Sequence, residues 1–324
     1  MKSASISVVL ITYNYSQYIL QSIASVLDGL PENSEVVVVD DGSTDDTRDK
    51  LGTLNNASVR VLFKQNGGPS TALNHGINHS TGEYIAIMSG DDISLPQGIS
   101  RRLAYLQNTQ ADIVSSVPVF IDGEGNSVVN EQMSPVFAPL DDMSNPNVLR
   151  RLLFLGNFIS APSIMMRRAV VDKVGLHLDS LFQLQDYELW IRAVLAGFRI
   201  SISHAPFIKY RLHASNLSSP ANQERTYWEL ASILRKYTAE LSRETIDALS
   251  SRHSATDPDS VARALLFVDS SHPIWRTVSQ EYLEIAMLDN EAAAILRSVY
   301  GLGPKEIFER RKTLTAPSAI APPS

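Results

Sequence analysis

Two pairs of adjacent carboxylates, Asp40-Asp41 and Asp91-Asp92, stand just after short apolar runs. Glu35-Val-Val-Val-Val-Asp40 and Glu83-Tyr-Ile-Ala-Ile-Met88 have the length and apolar content of buried strands. In an open parallel sheet, ligands bind where strands end at their carboxyl edge, so both pairs fall where a site is built. Carboxylates at a buried edge lose hydration and need a partner. A divalent cation bound to phosphate oxygens is a natural one, because Mg²⁺ and Mn²⁺ take hard oxygen ligands. A plain strand-to-helix turn with an N-cap also accounts for Asp40-Asp41-Gly42-Ser43-Thr44, and an ordinary acidic turn before Pro96 accounts for Asp91-Asp92.

The elements that carry these pairs alternate between strand and helix patterns, which predicts an α/β fold with a parallel N-terminal sheet. Residues 6–12 read as a buried strand. Ile19, Ile23, Val26, Leu27 and Leu30 mark one face of a helix over 18–30. Ser43 and Asp46 have capping-box spacing and predict the start of the next helix, with aspartate in place of Glu or Gln. A third strand over 59–63 precedes the Gly67-Gly68-Pro69 break and a helix near 70–78. Pro96 suits the first turn of the helix after the fourth strand.

After Asp112 the pattern becomes that of a mixed sheet. Residues 113–121 read as one strand, 122–126 as a tight turn, 147–155 as a helix and 163–167 as a strand. A helix over 186–196 and closing strands over 200–203 and 207–212 follow. From Pro220 the strand signals vanish, and 224–241, 244–249, 259–268 and 278–299 read as helices. The expected organisation is an α/β catalytic domain over 1–219 and a helical region over 220–313. A Pro/Ser/Ala tail over 314–324 is expected to be disordered.

The 324 residues are 44% hydrophobic and 19% charged, the balance of a globular protein with a substantial core. Net charge is −7, from 28 basic and 35 acidic residues. That gives no general affinity for nucleic acid or an anionic membrane, while a nucleotide ligand remains compatible because a metal ion neutralises phosphate locally. The absence of cysteine excludes disulfides, thiolate metal sites and cysteine nucleophiles. No stretch approaches the ~20 apolar residues of a membrane-spanning helix, and the first apolar run is too short for a signal peptide. A cytoplasmic protein is expected, or one peripheral to the inner face of a membrane.

Seven segments in order carry a resemblance. Val9-Leu-Ile-Thr-Tyr-Asn14, Val38-Val-Asp-Asp-Gly-Ser-Thr-Asp45, Gly82-Glu-Tyr-Ile85 and Ser89-Gly-Asp-Asp92 are similar to motifs of the family 2 glycosyltransferases with the GT-A fold. Pro162-Ser-Ile-Met-Met-Arg-Arg168, Gln185-Asp-Tyr-Glu-Leu-Trp-Ile-Arg192 and Tyr210-Arg-Leu-His213 extend the likeness, which covers about two thirds of the chain. It implies an inverting, metal-dependent transfer of a sugar from a nucleoside diphosphate to a hydroxyl acceptor, saccharide or lipid-linked. It also implies a setting in surface polysaccharide, lipopolysaccharide or glycoconjugate synthesis.

The same resemblance assigns roles. Thr12 and Tyr13 line the base and ribose pocket, with Asn14 beside them. Asp41 accepts from the ring N–H of the base, favouring UDP- or TDP-sugars, while Asp40 braces the loop. Gly67 and Asn74 pass under the nucleotide, although Asn74 is equally a surface helix residue. Of Asp91 and Asp92, one ligates Mn²⁺ or Mg²⁺ and the other touches ribose or a metal-bound water. The cation stabilises charge on the leaving diphosphate. His213 reaches the metal or the diphosphate, or is a lone surface histidine. Arg211 neutralises the diphosphate or pairs with a carboxylate. Asp186, opening a helix whose terminal N–H groups favour its ionised form, is the catalytic base. Glu188 is the fallback and faces another side of the helix.

Three positions depart from the family pattern: Ser89 for a common Asp, Leu73 for a common Arg, and Gln185 for the usual Glu. A catalytically silent nucleotide-sugar-binding protein is the competing reading. It would keep Asp41, Asp91 and Asp92 without needing Asp186. Acceptor binding, covering the site and forming a homo-oligomer all stay open for the helical region.

Overall fold

The computed structural model describes residues 5–131, 133, 136–217 and 222–315. Four strands, β1 (Ile6–Thr12), β2 (Glu35–Asp40), β3 (Val59–Phe63) and β4 (Tyr84–Ser89), form the parallel half of a sheet. The chain then adds β5 (Ile93–Ser94), β6 (Ile113–Ser116), β7 (Val119–Ile121), β8 (Met165–Arg167), β9 (Ile200–Ser203) and β10 (Ile208–Arg211). A seven-stranded sheet runs β3-β2-β1-β4-β8-β6-β9, and a three-stranded sheet runs β5-β10-β7. β8 lies antiparallel to both β4 and β6, which makes the large sheet mixed.

From β1 the chain moves outward to β2 and β3, then returns to place β4 on the other side of β1. That reversal opens a crevice at the carboxyl ends of β1 and β4, where ligands bind in open α/β sheets. In register, Thr12 lies beside Asp40 and Ile11 beside Ser89, so the acidic loops after β2 and β4 flank the end of β1.

Both faces of the central strands are covered, which is why they read as continuous apolar runs rather than alternating ones. Ile6, Val8, Leu10, Val36 and Val38 pack with Ile19 and Ile23 of α1 (Ile19–Leu27). Beyond the short α2 (Thr47–Gly52), the opposite face receives α3 (Pro69–Asn78), where Ala72 meets Val37 and Val39. The remaining helices of this part are α4 (Gly98–Thr109), α5 (Asn145–Leu155), α6 (Arg168–Val174) and α7 (Gln185–Leu195).

Several expectations are corrected. Residues 113–121 form two strands in different sheets, because Pro118 lacks the N–H that would continue the ladder. Ser43 is not a helix cap: its hydroxyl accepts the Asn14 N–H at 2.9 Å, and Thr47 at the start of α2 donates instead to Asp45 at 3.0 Å. Pro96 sits in the turn before α4, which begins at Gly98 after Gln97 in the left-handed region. Ala161–Ser163 is a single 3-10 turn, and the strand after it begins at Met165.

The chain divides into two compact units, one of Met1–Leu152 with Gly156–Ser219 and the other of Leu153–Leu155 with Pro220–Ser324. The second contains α8 (Gln223–Glu240), α9 (Arg243–Leu249), α10 (Asp259–Leu265), α11 (Pro273–Ala286), α12 (Asn290–Ser298) and α13 (Pro304–Thr315). Val261, Leu265, Leu283 and Leu296 anchor its core. The helix expected over 278–299 is two helices, since Asp289 accepts the Ala292 N–H at 2.8 Å and caps a new start. α13 was not anticipated and takes in 314 and 315; the rest of the expected tail, 316–324, lies outside the described residues.

Gly76 is where α3 touches the sheet most closely: a Cβ there would lie 2.4 Å from Val9 Cγ1 and 3.1 Å from Val39 Cγ2. Alanine would gain about 1 kcal/mol of helix propensity. Overpacking against two fully buried valines costs about 1–3 kcal/mol and wins. Gly76→Ala is therefore expected to lower the urea midpoint with the slope unchanged. A raised midpoint would show that α3 rides free of the sheet.

Candidate active site

At the β1–β4 crevice lies a cleft of about 300 Å³. Thr12, Tyr13, Asn14 and Asp41 line it together with Gly68 and Phe182. The Thr12 hydroxyl is buried and has no hydrogen-bond partner among the described residues. It lies against Gly90, where a Cβ would come within 2.7 Å of it, so Thr12 and Gly90 pack at the end of β1. Tyr13 exposes 43% of its surface beside it. Asn14 takes a left-handed φ of 55° and accepts the Thr44 N–H at 2.7 Å, locking the loop after β1 to the loop after β2. Ser16 N–H to Asp45 at 3.0 Å is a second tie between the same loops.

Asp41 accepts from three donors: Lys64 Nζ and Gly67 N–H at Oδ1, and Gly68 N–H at Oδ2, the last at 2.8 Å. A carboxylate has about four acceptor positions, so Oδ2 keeps one for a ligand N–H. Gly67 thus works by holding Asp41, and Gly68 is the glycine on the cleft wall. Asp40, fully buried, accepts the Ser43 N–H and pairs with Arg48 at 3.0 Å; it braces the loop. Asn74 is a correction. Its amide donates to His177 O and Asp179 Oδ1, both at 2.8 Å, and accepts the His177 N–H at 3.0 Å. It ties α3 to the segment before α7 instead of facing the cleft.

The second acidic pair splits. Asp91 accepts from the Ser89 hydroxyl, and His213 Nε2 lies 3.0 Å from its Oδ2. The imidazole stands edge-on to Tyr15 and stacked on Tyr18, with ring centroids 5.5 Å away in each case. Tyr15 lines the cleft, and burial together with the Asp91 and Asp92 charges pushes its phenol far above the usual range. Asp92 turns inward and accepts the Arg211 N–H at 2.8 Å. Burial, then the charge of Asp91, drives its carboxyl well above the ordinary value, toward the neutral acid. Asp92 thus faces the β10 backbone, and Asp91 is the member of the pair that lies beside His213. Arg211 is corrected too: its guanidinium donates to Asp91 O, Asp122 O, Gly123 O and Gln21 Oε1 and braces the loops.

Among the described residues, no group of three or more His, Asp, Glu or Cys side chains forms a ready cation cage. Asp91 and His213 offer two ligands side by side. That number fits a Mg²⁺ or Mn²⁺ site completed by substrate phosphate oxygens and water.

Asp186 sits in the first turn of α7 and is buried. Asn157 Nδ2 donates to its Oδ2 at 2.8 Å, and the Tyr187 N–H donates to Oδ1 at 2.7 Å. Desolvation outweighs these donors and raises its pKa from 3.8 to about 6. The helix N-terminus was expected to favour the ionised form; burial wins. Asp186 lies four residues after Phe182 of the cleft wall, which sits in the bend before α7, and Asn157 leads into the 3-10 turn packed against β4. Glu188, fully buried, is bound by Arg192 at 2.8 Å, which removes the fallback base.

The model of glycosyl transferase family 2 matches residues 7–175, more than half of the chain. The chain belongs to this family. An uncharacterised family relative in Rickettsia prowazekii (strain Madrid E) is 29% identical over 246 residues, covering 74% of this chain and 74% of the relative. A second, in Rickettsia conorii, is 30% identical over 72% of this chain but only 39% of its own length. The succinoglycan biosynthesis protein ExoU of Rhizobium meliloti is 30% identical over 62% of this chain and 60% of its own. S. aureus TarS, solved with UDP-GlcNAc, superposes with a TM-score of 0.63 at 19% identity, covering 96% of this chain and 90% of that one. A Pyrobaculum calidifontis mannosyltransferase, solved with GDP-Man and Mn²⁺, gives 0.55 at 17% identity over 95% and 83%. At such identities the superpositions show a shared fold, the GT-A type. Gly68 and Phe182 line the cleft, and Lys64 and Asn157 hold Asp41 and Asp186; sequence reasoning singled out none of the four for the candidate site. Lys64 directly follows β3 at the carboxyl edge, a signal that was available; Asn157 and Phe182 carry none.

Because the folded-state pKa of Asp186 lies above that of the unfolded chain, its ionisation weakens the fold as pH rises through about 6. The effect is absent below about pH 4. Asp186→Asn is expected to be more stable than the wild type at pH 8 by about 1–3 kcal/mol, with the gap closing at pH 4. Urea denaturation at the two pH values measures it. No gap at pH 8 would mean that the carboxylate is solvated.

Proposed function

We propose that the protein is an inverting glycosyltransferase that moves a sugar from a UDP- or TDP-sugar to a hydroxyl acceptor. The observation that carries this is the juxtaposition at one sheet edge. Asp41 faces the cleft and an Asp91–His213 pair sits behind Ser89 of its wall; Asp186, a further buried acid four residues after Phe182 of that wall, has its pKa near neutrality. Asp41 Oδ2 reads a ring N–H, which uracil and thymine present and cytosine does not. Thr12 and Tyr13, which line the cleft, meet the nucleoside.

Positive charge at this edge is otherwise engaged, Lys64 by Asp41 and Arg211 by backbone carbonyls. Asp91 and His213 are the residues that would hold Mn²⁺ or Mg²⁺. Such a cation, when bound, offsets negative charge on the diphosphate as it departs. Asp186 takes the proton from the acceptor hydroxyl; the acceptor oxygen bonds to the anomeric carbon as the bond to the diphosphate oxygen breaks. The electron pair leaves with the nucleoside diphosphate, and attack from the opposite face inverts the anomeric centre. A base with a pKa of about 6 is ionised at neutral pH yet still basic enough to accept that proton. Asn157 orients it. The likeness to ExoU, named for succinoglycan biosynthesis, supports a saccharide acceptor in polysaccharide assembly. No helix among the described residues is long and apolar enough to cross a membrane.

Asp186→Asn is expected to lower transfer by about 10²–10⁴-fold, the usual contribution of a positioned base, while UDP affinity stays within about twofold. UDP release with a panel of UDP-sugars and saccharide acceptors, beside calorimetric UDP binding, separates the two quantities. Equal loss of binding and transfer would make Asp186 structural, and retained transfer would move the base elsewhere.

A further inference from the structure

The segment between α6 and α7 is fastened in a way that the cleft alone does not require. Asn74 holds it at His177 and Asp179, and the Ser70 hydroxyl, one turn earlier on the same face of α3, donates to Leu181 O. Arg192 on α7 holds the near end through Leu176 O at 2.8 Å, its guanidinium fixed by Glu188. The residue after Leu181 is Phe182, whose ring rests on Gly68. A Cβ on Gly68 would lie 2.5 Å from Phe182 Cε2, and its φ of 87° already favours glycine, so turn and ring meet at a distance no other residue permits. The same Gly68 donates its N–H to Asp41. One peptide unit therefore carries both the carboxylate that reads a base and the aromatic ring that walls it in.

We propose that Phe182 selects pyrimidine over purine nucleotides in the donor cleft, and that Asn74 and Ser70 are positioning residues acting through it. This rests on the nucleotide reading of the Asp41 cleft and deepens it. A six-membered ring presenting an N–H to Asp41 fits beside the phenyl group in a cleft of about 300 Å³. The second ring of a purine needs volume that the phenyl group fills. Three α3 hydrogen bonds from Asn74 and one from Ser70 help to hold the ring by pinning the backbone just before it. Without them the segment loses part of its restraint, and the wall loosens with it.

Calorimetry of UDP and GDP, at fixed Mn²⁺, with the full-length wild type, Phe182→Ala, Asn74→Ala and the double variant tests this as a double-mutant cycle. The wild type is expected to prefer UDP by about tenfold or more, and Phe182→Ala to narrow that preference to about threefold. Asn74→Ala is expected to weaken UDP binding several-fold when Phe182 is present and to add nothing once it is gone. If Asn74→Ala melts too low to assay, Ser70→Ala, which removes a single hydrogen bond, takes its place in the cycle. An unchanged UDP/GDP ratio in Phe182→Ala, or equal effects of the α3 variant in both backgrounds, overturns the proposal while leaving the nucleotide reading intact. Binding of neither nucleotide by the wild type sinks both.

Discussion

Burying several carboxylates, four of them at one sheet edge and one at the start of α7, is the constraint on which the rest of this structure depends. Asp40, Asp41, Asp91, Asp92 and Asp186 are all nearly inaccessible to water. An ionised carboxylate taken from water is destabilising unless donors replace its hydration. Each acid here meets a different set of donors. Loop amides and Arg48 serve Asp40, and Lys64 with two glycine amides serves Asp41. Ser89 and His213 serve Asp91, and the Arg211 amide serves Asp92. Asp92 and Asp186 receive few donors for their burial, and the pKa of each rises.

That unevenness divides the labour. Acids with several donors are fixed in place, so they brace loops, as Asp40 does, or present a leftover lone pair, as Asp41 does. An acid with few donors is held near its titration point, which suits a group that must accept a proton. Arg211 shows how the frame is made: one guanidinium joins the loops after β4 and β7 and the helix α1 by donating to oxygens of each. Lids and loops are commonly loose in such sites, yet here the loops after β1 and β2 are cross-tied through Asn14, Ser43 and Asp45. The edge is organised before any ligand arrives.

Much of this was legible in the chain. β1, β2 and β4 announce themselves as apolar runs, and because their ends are sharp, the placement of Asp41 and Asp91 at the carboxyl edge follows. What was not legible depends on partners far away in sequence. Nothing near Asp91-Asp92 says which carboxyl turns inward; Arg211, more than a hundred residues later, decides it. Asn74 looked like a residue under the nucleotide until His177 and Asp179 claimed its amide. For Asp186, local reasoning favoured a lowered pKa at a helix start, but the helix end is packed into the core and desolvation reverses the sign. Other misses were visible and passed over, such as Pro118 inside a supposed strand and Asp289 as a cap inside a supposed helix.

The claim at the centre is that Asp91 and His213 share a cation with the diphosphate of a nucleotide in the adjoining cleft. Calorimetric titration of UDP into the metal-free protein, with and without saturating Mn²⁺, tests it in the wild type and in Asp91→Asn. The predicted result is a gain of about tenfold or more in UDP affinity with Mn²⁺ in the wild type, equivalent to ~1.4 kcal/mol, and no gain in the variant. An equal Mn²⁺ effect in both proteins, or none in the wild type, would contradict it.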